Sequence, residues 1–132
     1  MARPYIGGSN AAVKTLAADT TLTEADHGKL FICSQAGAYN ITLPAVGDAI
    51  GWSGTFLLGT AGANDFDIIG GTTDVMIGVA CGDTNVGVDA ADKVTFVASN
   101  AVVGERVDIF CDGTNYYCTM FGVADNAMAS SG

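Results

Sequence analysis

The chain has 132 residues, enough for one domain that buries a core without a metal or disulfide. Its formal net charge is −9, with only Arg3, Lys14, Lys29, Lys93 and Arg106 against 14 acidic residues. No basic patch can be assembled to displace counterions from phosphates, so nucleic-acid binding is excluded, and the same acidity opposes anionic membranes. Apolar residues make up 49% and charged ones only 14%, which leaves little polar material to cover a lone domain. Some apolar surface is therefore expected to meet another subunit. The 18 glycines, set among Val, Ile, Thr and Phe, favour short strands and tight turns. No run of 18 apolar residues occurs, and Met-Ala-Arg-Pro lacks the apolar core of a signal peptide. The cytosol is the expected place of synthesis.

Residues 1–13 read as an extended N-terminal arm. Pro4 restricts its neighbour to extended geometry, and Gly7-Gly8-Ser9-Asn10 is too flexible to hold a regular element alone. Tyr5 and Ile6 give the arm something apolar to dock. Residues 14–122 read as one β domain, opening with a short edge strand at Lys14–Ala18. Thr20–Gly28 looks like a single helical turn: Thr23 caps it, Glu24 and Asp26 suit its first turn, and Gly28 ends it. Lys29–Ser34 is a strand, Gln35–Ala38 a turn and Tyr39–Leu43 a second strand. There Tyr39, Ile41 and Leu43 share one face, and Asn40 and Thr42 the other. Pro44 ends the pairing because it lacks an amide donor.

Ala45–Ser53 is a loop holding the only tryptophan, Trp52. Gly54–Gly59, Phe66–Ile69 and Val75–Val79 follow as strands, the last two flanking the Gly70–Thr73 turn. Asn85–Val88 can pair briefly, and Lys93–Ala98 alternates well. Glu105–Phe121 carries the clearest signal: two alternating segments around Asp112-Gly113-Thr114-Asn115, a hairpin whose Gly113 tolerates positive φ. Residues 123–132 read as a mobile small-residue tail. About eight strands so spaced fit an all-β fold, an antiparallel β-sandwich or jelly-roll-like barrel.

Chemistry is hard to place on this chain. The only histidine, His27, precedes Gly28 in a surface turn and reads as a surface polar residue. Cys33, Cys81, Cys111 and Cys118 are separated by 48, 30 and 7 residues, which matches no zinc-site spacing. They read as reduced thiols, although Cys111 and Cys118 are diagonal neighbours if they share a hairpin face. Asp65 and Asp67, and Asp83, Asp89 and Asp92, read as solvated turn carboxylates; no D-x-D-x-D-G calcium loop is present. Trp52, Tyr5, Tyr39, Tyr116 and Tyr117 are the candidates for a sugar-stacking platform, against a core or interface role. We expect no catalytic group, no metal and no cofactor.

Two stretches together resemble a known family. Thr21–Pro44, TLTEADHGKLFICSQAGAYNITLP, looks like the opening of small decoration (cement) proteins of tailed double-stranded DNA bacteriophage heads. There a T-L-T-x-A-D-x-G-K segment leads into a strand and a second strand ends in T-L-P; Thr23, Asp26, Gly28, Lys29, Thr42, Leu43 and Pro44 match. Asp112–Tyr117, with Asp112 and Gly113, resembles the D-G-T-x-W/Y hairpin near the end of the same proteins. The resemblance implies a non-enzymatic virion subunit on the outer capsid surface, a homotrimer that clamps neighbouring copies of the major capsid protein. The arm residues Arg3, Pro4, Tyr5 and Ile6 would run along the shell. The alternative is a receptor- or carbohydrate-binding β module of a phage tail or head fibre.

Overall fold

The computed structural model describes residues 12–82, 86–123 and 126–132. Twelve strands are present among them: β1 (Val13–Leu16), β2 (Thr20–Thr21), β3 (Leu30–Ser34), β4 (Tyr39–Thr42), β5 (Ser53–Thr60) and β6 (Phe66–Ile69), then β7 (Met76–Cys81), β8 (Val86–Ala91), β9 (Lys93–Phe96), β10 (Arg106–Cys111), β11 (Tyr116–Phe121) and β12 (Met128–Ser131). They form a seven-stranded sheet, β1-β3-β5-β10-β11-β7-β8, and a five-stranded sheet, β12-β9-β6-β4-β2. One hydrophobic cluster draws on both sheets, with Phe31, Phe56 and Met120 from the first and Ile41, Phe66 and Phe96 from the second. The architecture is all-β and sandwich-like.

Its pairing differs from the antiparallel expectation. Five of the ten strand pairs are parallel: β1 with β3, β3 with β5, β2 with β4, β4 with β6, and β7 with β11. The first six strands alternate between the two sheets, so each crossover between parallel neighbours runs through a strand of the opposite sheet instead of a helix. The sheets are mixed, and the described strands do not display a jelly roll.

The turn at Gln35–Ala38 shows how this happens. It joins β3 of one sheet to β4 of the other, so it is an arch over the core and no hairpin. Gln35 is fully buried beside it, and its amide is satisfied on both sides: Nε2 donates to the Phe96 carbonyl at 3.0 Å and Oε1 accepts from the Gly62 N–H at 3.1 Å. A buried amide with both ends paired costs little and fixes where the arch lies. The Gly70–Thr73 turn likewise carries the chain from β6 to β7, in different sheets. By contrast β10 and β11 do form the expected antiparallel hairpin, with Cys111 opposite Tyr116 and Gly113 at φ +93° in its turn.

The expected boundaries shift at both ends. Residues 1–11 of the arm, including Arg3, Pro4, Tyr5 and Ile6, lie outside the described residues. Val13, assigned to the arm, already belongs to β1. The stretch expected as a tail supplies β12, which pairs with β9, and Ala127 just before it is fully buried. Three small residues after Met128, ASS, hide this strand from a hydrophobicity reading. It adds main-chain hydrogen bonds to a sheet edge, and Met128 alone packs against the core.

Close backbone approach explains one glycine. Gly78 of β7 lies against Cys118 of β11, and a Cβ there would overlap the Cys118 carbonyl. Gly78→Ala should therefore destabilise the fold by about 2–4 kcal/mol. Gly87→Ala, in open space on the neighbouring strand, should shift stability by less than about 1 kcal/mol. Urea denaturation of the two variants checks the pair.

Candidate interaction surface

The residues of the two familiar stretches converge on one end of the core. Asp26 is the buried hub of the first. After Thr23 the chain makes a 3-10 turn over Glu24–Asp26, and the Asp26 carboxylate turns back to accept the Thr23 N–H at 3.0 Å. Its other oxygen receives the Lys29 ammonium at 2.9 Å and lies 3.5 Å from that of Lys14. Burial pushes the Asp26 carboxyl up, but the Thr23 N–H and the two ammonium groups outweigh it and hold the pKa below the ordinary value. Gly28, at φ +76°, then leads the chain into β3.

Trp52 and Tyr116 link this hub to the second stretch. Trp52 is buried, and its indole N–H donates to the Thr23 carbonyl at 3.1 Å. Its ring meets Tyr116 edge-on, with centroids 6.2 Å apart. Tyr116 is fully buried, and its hydroxyl donates to the Pro44 carbonyl at 2.6 Å. Burial pushes its phenol pKa well up, so it stays a donor throughout the accessible pH range. Leu43 and Pro44 are buried in turn. Asp112 shapes the hairpin turn instead, accepting the N–H groups of Thr114 and Asn115 at 2.8 Å each. The matched residues thus build structure, and Trp52, which no motif marked, is the piece that joins them.

The other candidates do not assemble. His27 is exposed, and its Nδ1 accepts the Ser53 N–H at 3.0 Å. A depression of about 230 Å³ beside it is lined by Glu24, Asp48, Ile50 and Trp52, among others, with no hydroxyl or thiol among its lining residues. All four cysteines are free; Cys33, Cys111 and Cys118 are buried, and burial pushes the Cys118 thiol up to about 12. Asp67 is no solvated carboxylate: it accepts from Lys93 Nζ at 2.7 Å and Thr95 Oγ1 at 2.6 Å. Asp83 lies outside the described residues, and Asp92 accepts the Asp74 N–H at 2.6 Å. Among the described residues no three His, Cys, Asp or Glu side chains gather as a metal site, and no helix is long and apolar enough to cross a membrane. The five aromatics considered as a sugar platform are dispersed. Trp52 and Tyr116 are buried, Tyr39 is half-buried, Tyr5 is undescribed and only Tyr117 is open.

What the structure does assemble is a contrast between two outer faces. On the five-stranded sheet the register sets exposed Asn40 beside half-buried Asp67 and Asp67 beside buried Thr95, a polar row whose inner members bond one another. On the seven-stranded sheet one row runs Ile32, Leu57, Arg106, Phe121, Cys81. A second holds Phe110, Tyr117 and Ile77. Phe110 is 51% exposed, Val79 46%, Tyr117 43% and Phe121 38%. The alternation within β10 and β11 forces these residues outward, because Val107, Ile109, Tyr116, Cys118 and Met120 take the core positions.

Two substitutions test the internal network. Tyr116→Phe leaves the buried Pro44 carbonyl without its donor and should cost about 1–2 kcal/mol. Asp26→Asn should cost about 1–3 kcal/mol at neutral pH, since it strips Lys29 of its charge partner. The pH dependence has a definite sign. A carboxyl whose folded pKa lies below its unfolded value of about 3.9 stabilises the fold above that pH and loses the contribution as pH falls through the folded pKa. Urea melts should show the native chain losing more stability than Asp26→Asn below about pH 4.

No family model matches this chain, and neither the curated proteins nor the solved structures compared with it give a match.

Proposed function

We propose that this chain is an adhesive structural subunit: a decoration (cement) protein on the outer surface of a tailed-phage head, where it holds neighbouring major capsid proteins together as a homotrimer. The observation that carries the reading is the contrast between the two sheets. One outer face is a polar ladder, and the other exposes Phe110, Tyr117, Phe121 and Val79 on a chain with a formal charge of −9. Monomers rarely leave so many large apolar side chains open on one face. The resemblance of Thr21–Pro44 and Asp112–Tyr117 to phage decoration proteins supplies the partner. The mechanism is additive: each copy makes modest contacts with the shell, and linking copies raises their effective concentration at the next site. Arg3, Pro4, Tyr5 and Ile6 contribute shell contacts of their own.

A second reading draws on the adjacent pair Phe110 and Tyr117, which lie opposite one another on the open face. Exposed aromatic pairs also stack on sugar rings, as a receptor- or carbohydrate-binding fibre module requires. Binding of the purified chain to a glycan array, with loss on Tyr117→Ala, is the result that would favour it.

The experiment for the principal reading uses heads of the encoding phage assembled without the chain. Added protein should co-sediment with those heads at a fixed stoichiometry and raise their resistance to heat. Deleting residues 1–10 should weaken binding by about tenfold or more, the scale of a few lost contacts. Failure of the intact chain to bind such heads contradicts the proposal.

A further inference from the structure

We infer that the outer face of the seven-stranded sheet is where copies of this chain bury one another; the inference rests on the adhesive reading above and assigns it a surface. Charge is the first ground. Across β3, β5, β10, β11 and β7 the one acidic residue on this face is Asp108, matched there by Arg106, whose Nε lies 3.4 Å from its carboxylate, while Asp89 is exposed on the edge strand β8. Asp108 also accepts the Thr55 hydroxyl at 3.1 Å, and the Arg106 guanidinium stacks 4.4 Å from the centre of the Phe121 ring. The middle strands of the face are therefore neutral among themselves, and the charge that could recruit a charged partner of another kind is confined to its edge. Two chains that each carry −9 repel wherever their carboxylates are juxtaposed, and this face is where they meet without that cost.

Size is the second ground. Seven strands spaced about 4.8 Å apart and about six residues long at about 3.3 Å each give a footprint of roughly 29 Å by 20 Å. Side chains standing on that footprint bring its accessible area close to the roughly 800 Å² per partner of a stable interface. The row through the middle of the face, Thr55, Asp108, Thr119 and Val79, is mostly polar with its ion pair already formed, and the rows on either side are mainly aromatic and aliphatic. Three such faces turned toward a common axis would close a trimer, the order that the resemblance implies.

The test is the mass of the full chain in solution, by light scattering across a concentration series, for the native protein and three variants. Phe110→Lys and Val79→Arg place a charge on the face from two different strands. Asn40→Lys places one on the outer face of the five-stranded sheet. All four proteins are first compared by circular dichroism and thermal melting, so that misfolding of one face variant leaves the other to decide. The native chain and Asn40→Lys should be oligomers, and the face variants should fall to the mass of one chain, with self-association weakened about 30-fold or more. A native chain that stays monomeric at high concentration overturns the inference. So does an oligomer that both face variants leave intact; the face would then be covered by residues 1–11 or by a different protein. Binding to undecorated heads, measured separately, distinguishes the two failures. An intact oligomer that still binds heads loses only the assigned surface, while loss of head binding by the native chain removes the adhesive reading itself.

Discussion

The Tyr116 hydroxyl meets the Pro44 carbonyl across 72 residues of sequence, and the rest of the structure is arranged so that it can. Tyr116 begins β11 in the seven-stranded sheet, while Pro44 follows β4 in the five-stranded one. The bond therefore ties the sheets to each other inside an apolar core, where an unpaired carbonyl or hydroxyl is costly and only one registration pairs both. Trp52 packs edge-on against the same tyrosine and hands its N–H to Thr23, so the turn held by Asp26 is fixed to the same point. Hydrophobic burial supplies most of the driving force, but it is non-directional. These few polar contacts choose which of many apolar arrangements is adopted.

Strands were legible from the residues because period two survives any pairing. Ile41 and Leu43 point inward as their alternation demands, and the Asp112–Asn115 hairpin turn appears where the sequence places it. Sheet membership was not legible. Gln35–Ala38 has the small, flexible residues of a hairpin turn, and nothing in four such residues says whether the next strand lies beside the last or across the core. The deciding contacts, from Gln35 to Phe96 and Gly62, come from far along the chain. The same holds for β12, where Met128 is the one large apolar residue of MASS and the strand is placed by pairing with β9. Of the candidate site, the matched residues were visible as a pattern but not as a network. Trp52, as the only tryptophan, was the available clue, and its neighbours Thr23 and Tyr116 lie 29 and 64 positions away.

The two sheets divide the work. The five-stranded sheet pairs its polar side chains among themselves, with Asp67 accepting from Lys93 and from buried Thr95. The seven-stranded sheet pairs Arg106 with Asp108 on its outer face and also exposes Phe110, Tyr117, Phe121 and Val79 there. On the proposal above, an acidic chain with few cations would touch a copy of itself where its exposed charges are paired, as Arg106 and Asp108 are. The adhesion we propose would rest on shape and repetition.

Hydroxyl-radical footprinting of the purified native chain tests this account most directly. Ile50, 77% exposed in the loop before β5 and outside the strands, serves as the internal reference for open side chains. If the face is covered in the working protein, Phe110, Tyr117 and Phe121 are oxidised far more slowly than their exposure in a single chain implies, while Ile50 reacts freely. Oxidation of the three aromatics at the rate expected for open side chains, at every protein concentration, would contradict it.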